Sequence, residues 1–150
     1  MPWLVLCACG GHKPTPAPPP APKVVTLAVL PTESDTFPVA AKATTDSLSK
    51  AHLAGVDRTQ VSKVSLEVVQ LSIECVEATP ACYQAVGHSL SADRLLFAQI
   101  APGPKRKQLT VTVSLFDVHG TADPRSAEKV FTSEKDAEAG IDALVGEVIK

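Results

Sequence analysis

The spacing of apolar residues changes several times along residues 24–150, and each change predicts a different element. Residues 24–30 form a nearly continuous apolar run that ends at a proline, as in a strand covered on both faces. Over 37–53, apolar residues recur every three or four positions, with Pro38 in the first turn and Gly55 beyond the end. The region therefore begins with a strand followed by an amphipathic helix.

Residues 56–75 fit two patterns. Val64, Leu66 and Val68 alternate with polar residues as in a strand. A second set of apolar residues lies at helical spacing and fits one face of a helix: Val61, Val64, Val68, Leu71 and Cys75. We predict a short strand at 56–61 and then a helix capped by Ser62, and the strand alternative for 62–75 remains open.

The next segment begins with a clearer helix signal. Thr79 can cap a helix through its hydroxyl, and Pro80 suits the first helical position, so a helix is predicted from there to Leu90. Gly87 lies inside that helix and lowers its stability unless another element packs closely against it. Two strands then follow at 94–100 and 109–118, which a hairpin joins.

The C-terminal part predicts one more strand and one more helix. The strand covers 128–132, and Ser133 with Asp136 resembles a capping box that opens the last helix. With the preceding elements, this order predicts an α/β sandwich. It consists of a mixed β-sheet of about four to five strands packed by three to four helices.

Composition narrows the class of protein. The chain has 150 residues, of which 45% are hydrophobic, and residues 24–150 suffice for one α/β domain with a core. The formal net charge of −2 gives no electrostatic reason to expect nucleic acid as a partner.

The N-terminal residues carry the most specific motif. Leu6-Cys7-Ala8-Cys9 ends a short apolar run and precedes Gly10. This order resembles the lipobox of bacterial lipoprotein signal sequences, which implies that residues 1–8 are a signal-peptide remnant and that Cys9 carries the lipid. A glycine after the lipidated cysteine implies, for such lipoproteins, sorting to the outer membrane on its periplasmic face. The alternative is an unmodified apolar N-terminus.

A proline-rich segment separates this motif from the domain. Residues 12–23 read HKPTPAPPPAPK, and repeated proline favours extended polyproline II. At about 3 Å per residue the segment spans roughly 30 Å. Residues 9–23 are therefore predicted to be the lipidated cysteine and a spacer, which would hold the domain away from a bilayer.

Two phrases within the domain carry a second resemblance. They are VTLAVLP at 25–31 and ACYQAVGHSLSADRLLFAQI at 81–100. The sequence here resembles the amino-terminal α/β domain of TolB and the related CsgG-like periplasmic lipoproteins, whose helix ends in a Gly–Leu–Ala-Asp phrase. The matching residues are Gly87, Leu90, Ala92 and Asp93. The resemblance implies a domain that makes protein–protein contacts in the periplasm.

Cys75 and Cys82 are close enough in sequence to form a disulfide in an oxidising periplasm. The bridge would connect one segment to the start of the next helix. Buried thiols are the other structural interpretation. A redox pair typically has Cys-x-x-Cys spacing, and a zinc site needs further ligands, which His88 alone does not supply.

Candidates for catalysis are weak. His88, Ser89 and Asp93 supply the residue types of a hydrolase triad, but no nucleophile-elbow motif surrounds the serine. The sequence therefore predicts no enzyme, no cofactor and no metal site. The basic run Lys105-Arg106-Lys107, in the hairpin loop, is either a solvated turn or a contact site for an acidic partner.

Together these features predict a lipid-anchored protein that touches the membrane through its N-terminal lipid and binds another cell-envelope protein through its α/β domain. The alternative function is a periplasmic domain that binds a small molecule or a glycan. A concave pocket with converging polar groups would favour that alternative, whereas an exposed apolar surface would favour a protein partner.

Overall fold

The computed structural model describes residues 16–150. The predicted signal remnant at 1–8 and the lipidation site at Cys9 lie outside the described residues. Residues 16–25 have no regular secondary structure, and their side chains are exposed up to Val24.

The described residues form one five-stranded sheet and four α-helices. In chain order the elements are β1 (Thr26–Val29), α1 (Pro38–Ser49), β2 (Arg58–Val61), α2 (Leu66–Ser72), α3 (Pro80–Ser89), β3 (Arg94–Pro102), β4 (Leu109–Asp117), β5 (Arg125–Phe131) and α4 (Glu134–Ile149). The strands lie in the order β2-β1-β3-β4-β5. β1 is parallel to both its neighbours, β2 and β3, while β4 runs antiparallel to its neighbours, β3 and β5. The predicted fold class, a mixed sheet packed by helices, is confirmed.

Alternate residues of the strands face opposite sides of the sheet, so each side has its own core. Leu27, Val29 and Leu96 point to the side covered by α1 and α4, where Leu48 and Leu144 are also buried. A second set points to the side covered by α2 and α3: Ala28, Leu30, Leu95, Phe97 and Phe116. Tyr83 of α3 packs its ring against Phe97 and Phe116, with centroids 5.2 and 5.4 Å away.

α1 and α4 are joined at their N-termini. The backbone N–H groups of Val39 and Ala40 donate to Glu134 Oε2 at 2.7 and 3.0 Å. A carboxylate at this position satisfies amides that have no partner within α1 and suits the positive end of the helix dipole. This link between residues about 95 apart in sequence fixes α1 against α4 on one side of the sheet.

The predicted helix caps are partly correct. Thr79 Oγ1 accepts from the Cys82 N–H and caps α3, as predicted. Ser133 Oγ accepts from the Asp136 N–H and caps α4, but the Asp136 carboxylate accepts from Thr132 instead of completing the capping box.

The segment 62–75 contains a helix, so the strand alternative is wrong. Its N-cap is Ser65, and the prediction of Ser62 as the cap is also wrong. Ser62 Oγ instead accepts from the Val64 N–H and donates to the Val64 carbonyl, which closes a tight turn before the helix. A serine that bonds two residues ahead in this way favours a turn over a helix start.

The close packing predicted at Gly87 is present. A Cβ atom at this position would overlap the side chain of Val118, just beyond β4. Glycine thus lets α3 approach the sheet at the one point where a side chain has no room.

Candidate interaction surface

The outer face of α2 is apolar. On a helix of 3.6 residues per turn, Val68 and Leu71 lie about 200° and 140° from Leu66. Leu66 is buried against the sheet, and Val69 and Gln70 are buried on the same side. Val68 and Leu71 therefore point away from the core, and they are 43% and 66% exposed. A helix that is apolar on two opposite faces is normally covered on both.

Exposed apolar side chains are concentrated around this helix. Eight large apolar residues are exposed among those described, and five of them fall within residues 61–76. Four of the five flank or belong to α2, and we refer to them as the α2 surface: Val64, Val68, Leu71 and Val76. Such a concentration on a small domain is typical of surfaces that contact other proteins.

A hydrogen bond at one end of α2 and a disulfide beyond the other end hold the helix in this orientation. Ser65 is fully buried, and its hydroxyl donates to Glu33 Oε2 at 3.1 Å, next to the end of β1. At the other end, the structure joins Cys75 and Cys82 in a disulfide with Cα atoms 5.6 Å apart, which is the pairing that the sequence predicts. Because Cys82 lies in α3, the bridge connects the segment after α2 to that helix. Both ends of α2 are thus fixed while its outer face stays open.

The inner side of α2 affects one ionisable group. Burial raises the pKa of Tyr83, and the nearby Glu67 carboxylate of α2 raises it further. Tyr83 is therefore a neutral member of the core near pH 7, and it supplies no general base to this surface.

The basic run lies at a defined end of the molecule. Lys105, Arg106 and Lys107 are exposed in the β3–β4 loop. Because β3 is parallel to β1 and β2, this loop is at the sheet end where those strands finish and where α2 begins. None of the three side chains forms an ion pair with another described residue. The structure does not test their predicted role as a partner contact.

The opposite end of the sheet receives the N-terminal segment. Asp93 Oδ2 accepts from the Thr26 N–H at 2.9 Å, and Asp93 Oδ1 lies 2.6 Å from His119 Nε2 and 3.7 Å from Lys23 Nζ. The hydrogen bond from Thr26, followed by that from His119, lowers the pKa of Asp93. The Asp93 carboxylate thus links the start of β1, through Thr26, to His119, which lies just after β4. This link is at the point where the proline-rich segment enters the domain.

The three residues considered for a hydrolase triad, His88, Ser89 and Asp93, are not hydrogen-bonded to one another. Asp93 binds His119 rather than His88, whose ring centroid is 6.5 Å from that of His119. The Ser89 hydroxyl donates to the Val86 carbonyl within its own helix. Across residues 16–150, no three potential metal-ligating side chains lie close together. None of the described helices has the length and hydropathy needed to span a bilayer.

The clefts in the described region are shallow and dispersed. One of 340 Å³ lies between Arg94 and Arg125 at the end of the sheet. Another of 370 Å³ lies beside β2, where Ala28, Gln60 and Leu90 line it. A third, of 350 Å³, borders the disulfide and Val76, and so adjoins the α2 surface.

Sequence reasoning detected the apolar spacing of this segment but not its orientation. The predicted helical face consists of Val61, Val64, Val68, Leu71 and Cys75. The four apolar residues before Cys75 are exposed, but Val61 belongs to β2, and Cys75 follows the helix. The buried face uses Leu66 and Val69, which have equal apolar character. The presence of apolar residues on both faces of this segment is the sequence signal that could have pointed to the α2 surface.

No protein-family model and no curated protein matches the chain. Solved structures are similar to it in fold. Lipoprotein GNA1162 from Neisseria meningitidis is 14% identical, with a TM-score of 0.46, over 83% of this chain and 97% of that chain. The LpoB C-terminal domain from Salmonella enterica is 14% identical, with a TM-score of 0.45, over 73% of this chain and 83% of that chain.

TolB from Acinetobacter baumannii is 13% identical, with a TM-score of 0.40, over 85% of this chain and 29% of TolB. At these values the likeness concerns the arrangement of strands and helices alone. The similar structures thus include lipoproteins and TolB, the two kinds of protein that the sequence resembles. The lipobox lies outside the described residues.

Proposed function

We propose that this protein is a lipid-anchored component of the bacterial cell envelope whose α/β domain is a protein–protein interaction module. Its role in this proposal is binding rather than catalysis. The lipid on Cys9 holds it at the periplasmic face of the outer membrane, and the partner is another envelope protein that covers the α2 surface.

The exposed outer face of α2 carries this proposal. Leu71 and Val68 are directed away from the core on a helix whose two ends are fixed by Ser65 and by the Cys75–Cys82 bridge. Because both ends of the helix are fixed, little backbone freedom is lost when a partner covers these side chains, so the ordering cost that opposes their burial is small. A small ligand would instead need a concave pocket with converging polar groups.

The two ends of the sheet suit an anchored protein. The segment that leads from the proposed anchor enters the domain near Asp93 and Thr26. The start of α2 and the Lys105–Lys107 loop both lie at the opposite end of the sheet. An anchored domain with this polarity presents its basic loop away from its own membrane. That loop is the second proposed contact for the partner.

Photo-crosslinking in cells tests the interaction. p-Benzoylphenylalanine replaces Leu71, and the matched control carries it at Ala143, an exposed position on α4. We expect Leu71 to crosslink to an envelope protein identified by mass spectrometry, and Ala143 to give no specific product. Val68→Gln should weaken a crosslink from position 71 several-fold, whereas Val39→Gln, at a valine of similar exposure in the first turn of α1, should not. Equal products from positions 71 and 143 would contradict the proposal.

Intact mass spectrometry of the membrane fraction tests the anchor separately. The gene is expressed with its upstream region, and the wild type is compared with Cys9→Ser. We expect diacylglycerol and acyl mass on Cys9 and its complete loss in the variant. An unmodified N-terminus at Met1 would contradict both the lipoprotein assignment and the envelope location, whereas a missing Leu71 crosslink with lipidated Cys9 would contradict only the α2 contact.

A further inference from the structure

Among residues 16–150, β2 is an edge strand with unpaired backbone groups. The Arg58 N–H donates to the Val25 carbonyl at 3.2 Å, and the Ser62 N–H donates to the Val29 carbonyl at 2.8 Å. Alternate residues of a strand direct their backbone groups to the same neighbour, so Arg58, Gln60 and Ser62 face β1. Thr59 and Val61 therefore direct their N–H and C=O groups to the open edge. These four groups are available to a further strand.

The sequence around this edge is complementary to itself. If a second β2 pairs antiparallel with Gln60 opposite Gln60, then Thr59 lies opposite Val61, and the four free backbone groups of one copy meet those of the other. The same register places Arg58 opposite Ser62. Asp57 directly precedes β2 and Lys63 lies in the turn that follows it, so the same register brings Asp57 of each copy to the end of the contact where Lys63 of the other copy lies, which gives two ion pairs by symmetry.

The side chains concerned are accessible. Lys63 is exposed and forms no ion pair with another described residue. The Asp57 carboxylate is exposed and uses one oxygen to accept from the Val25 N–H at 2.8 Å, so its other oxygen is available to a lysine. Val61 is half exposed and would be covered by Thr59 of the second copy.

The other edge of the sheet is less suited to strand addition. β5 carries three charged side chains within seven residues, Arg125, Glu128 and Lys129, all exposed. Charged side chains along an edge strand oppose pairing with another chain. The two edges therefore differ, and the complementary one is β2.

We propose that two copies of this protein associate through β2, in the antiparallel register centred on Gln60, to form a continuous ten-stranded sheet with two-fold symmetry. The contact uses the backbone edge of β2 rather than the outer face of α2, so the dimer is proposed independently of the envelope partner. The contact is short, and a small interface of this kind is weak in solution. Anchoring both copies in one membrane raises their effective concentration.

Disulfide trapping tests the register. In an antiparallel sheet, two residues opposite each other in a pair without hydrogen bonds have Cα atoms about 4.5 Å apart, which a disulfide can span. The full-length chain with Cys7→Ser and Cys9→Ser, which lacks the proposed anchor, is therefore used at high protein concentration and compared with and without Gln60→Cys under mild oxidation. We expect a covalent dimer from Gln60→Cys. Val130→Cys, an exposed control position on β5, should stay monomeric.

Charge reversal tests the ion pairs. Lys63→Asp places two carboxylates opposite each other, and we expect it to slow trapping at Gln60→Cys about tenfold. Asp57→Lys added to Lys63→Asp restores the complementary charges and should restore the rate, provided that circular dichroism shows an intact fold. Equal trapping at positions 60 and 130, or no effect of Lys63→Asp, would overturn the proposal. Crosslinking from Leu71 in cells would be unchanged by either result.

Discussion

The two sides of the sheet are covered by helical layers of opposite character. On one side, α1 and α4 are joined through Glu134 and bury Leu48 and Leu144, and α4 carries exposed charged residues away from α1, such as Lys135 and Glu147. On the other side, α2 and α3 are joined by the Cys75–Cys82 bridge, and the outer face of α2 carries Val68 and Leu71.

The difference indicates which side is adapted to water and which to a partner. A helix with charged residues away from its buried face is stable in water as it is. Exposed valine and leucine side chains on a fixed helix are unfavourable in water, and a partner that buries them makes the free energy more favourable. The α1–α4 side is complete within one chain. The α2–α3 side is completed by another protein in our proposal.

The largest contrast is expected between two leucines. Leu144→Ala, at a position 2% exposed, removes core contacts and should lower the free energy of unfolding by about 2–5 kcal/mol. Leu71→Ala, at a position 66% exposed, should change it by less than about 0.5 kcal/mol in the purified domain. Urea unfolding of both variants provides the measurement. A comparable loss at Leu71 would mean that the α2 surface is packed within the chain itself.

The disulfide should stabilise the α2–α3 side specifically. Replacing Cys75 and Cys82 with serine removes a short loop constraint, and we expect the free energy of unfolding to fall by about 2–3 kcal/mol. Hydrogen exchange should locate the loss in α2 and the start of α3, with little change in α1. Unchanged stability after reduction of the wild type would show that the bridge does not constrain this side.

A pair of glycines gives a smaller contrast with opposite signs. Gly87→Ala forces a methyl group against Val118 and should destabilise the protein by about 1–3 kcal/mol. Gly146→Ala, in α4, brings the new methyl group within 4 Å of no described atom outside its own turn of helix and should stabilise the protein by up to about 1 kcal/mol. Thermal unfolding gives both values. Stabilisation by Gly87→Ala would show that α3 is loosely packed on the sheet.

The smallest expected effect is the pH dependence of stability that comes from Asp93, at the end of the sheet where the N-terminal segment enters. The pKa of Asp93 is below its ordinary value because the carboxylate accepts from Thr26 and from His119, with Lys23 nearby. Its contribution is therefore fully present above about pH 4, the value for an unfolded aspartate, and decreases as the pH falls through the lowered folded pKa. Melting temperatures between pH 6 and pH 2.5 should fall more for the wild type than for Asp93→Asn. Parallel curves would contradict this role.

Much of the fold could be predicted from short-range patterns. Alternation over Leu109–Leu115 and the hydroxyl caps at Thr79 and Ser133 depend on neighbouring residues, and the structure confirms them. The cap of α2 was misplaced because Ser62 and Ser65 offer the same side chain three residues apart. The contact of Glu134 with α1 joins distant parts of the chain, and no local pattern predicts it.

The candidate surface was predictable only in part. The apolar residues of 61–75 were visible in the sequence, but Leu66 and Val69 compete with Val68 and Leu71 for the core on hydrophobicity alone. The choice is made by tertiary contacts, including the buried Ser65 and its bond to Glu33. The open edge of β2 likewise depends on strand order, which local spacing does not determine.

Hydroxyl-radical footprinting of native membranes tests most directly whether another protein covers the α2 surface. Val68 and Val130 are 43% and 44% exposed in the isolated chain, so they form a matched pair, and Leu71 adds a second reporter. Our account predicts that oxidation of Val68 and Leu71 is reduced several-fold in membranes relative to the dilute purified protein, while Val130 is oxidised equally in both. Equal oxidation of Val68 in membranes and in dilute solution would contradict it.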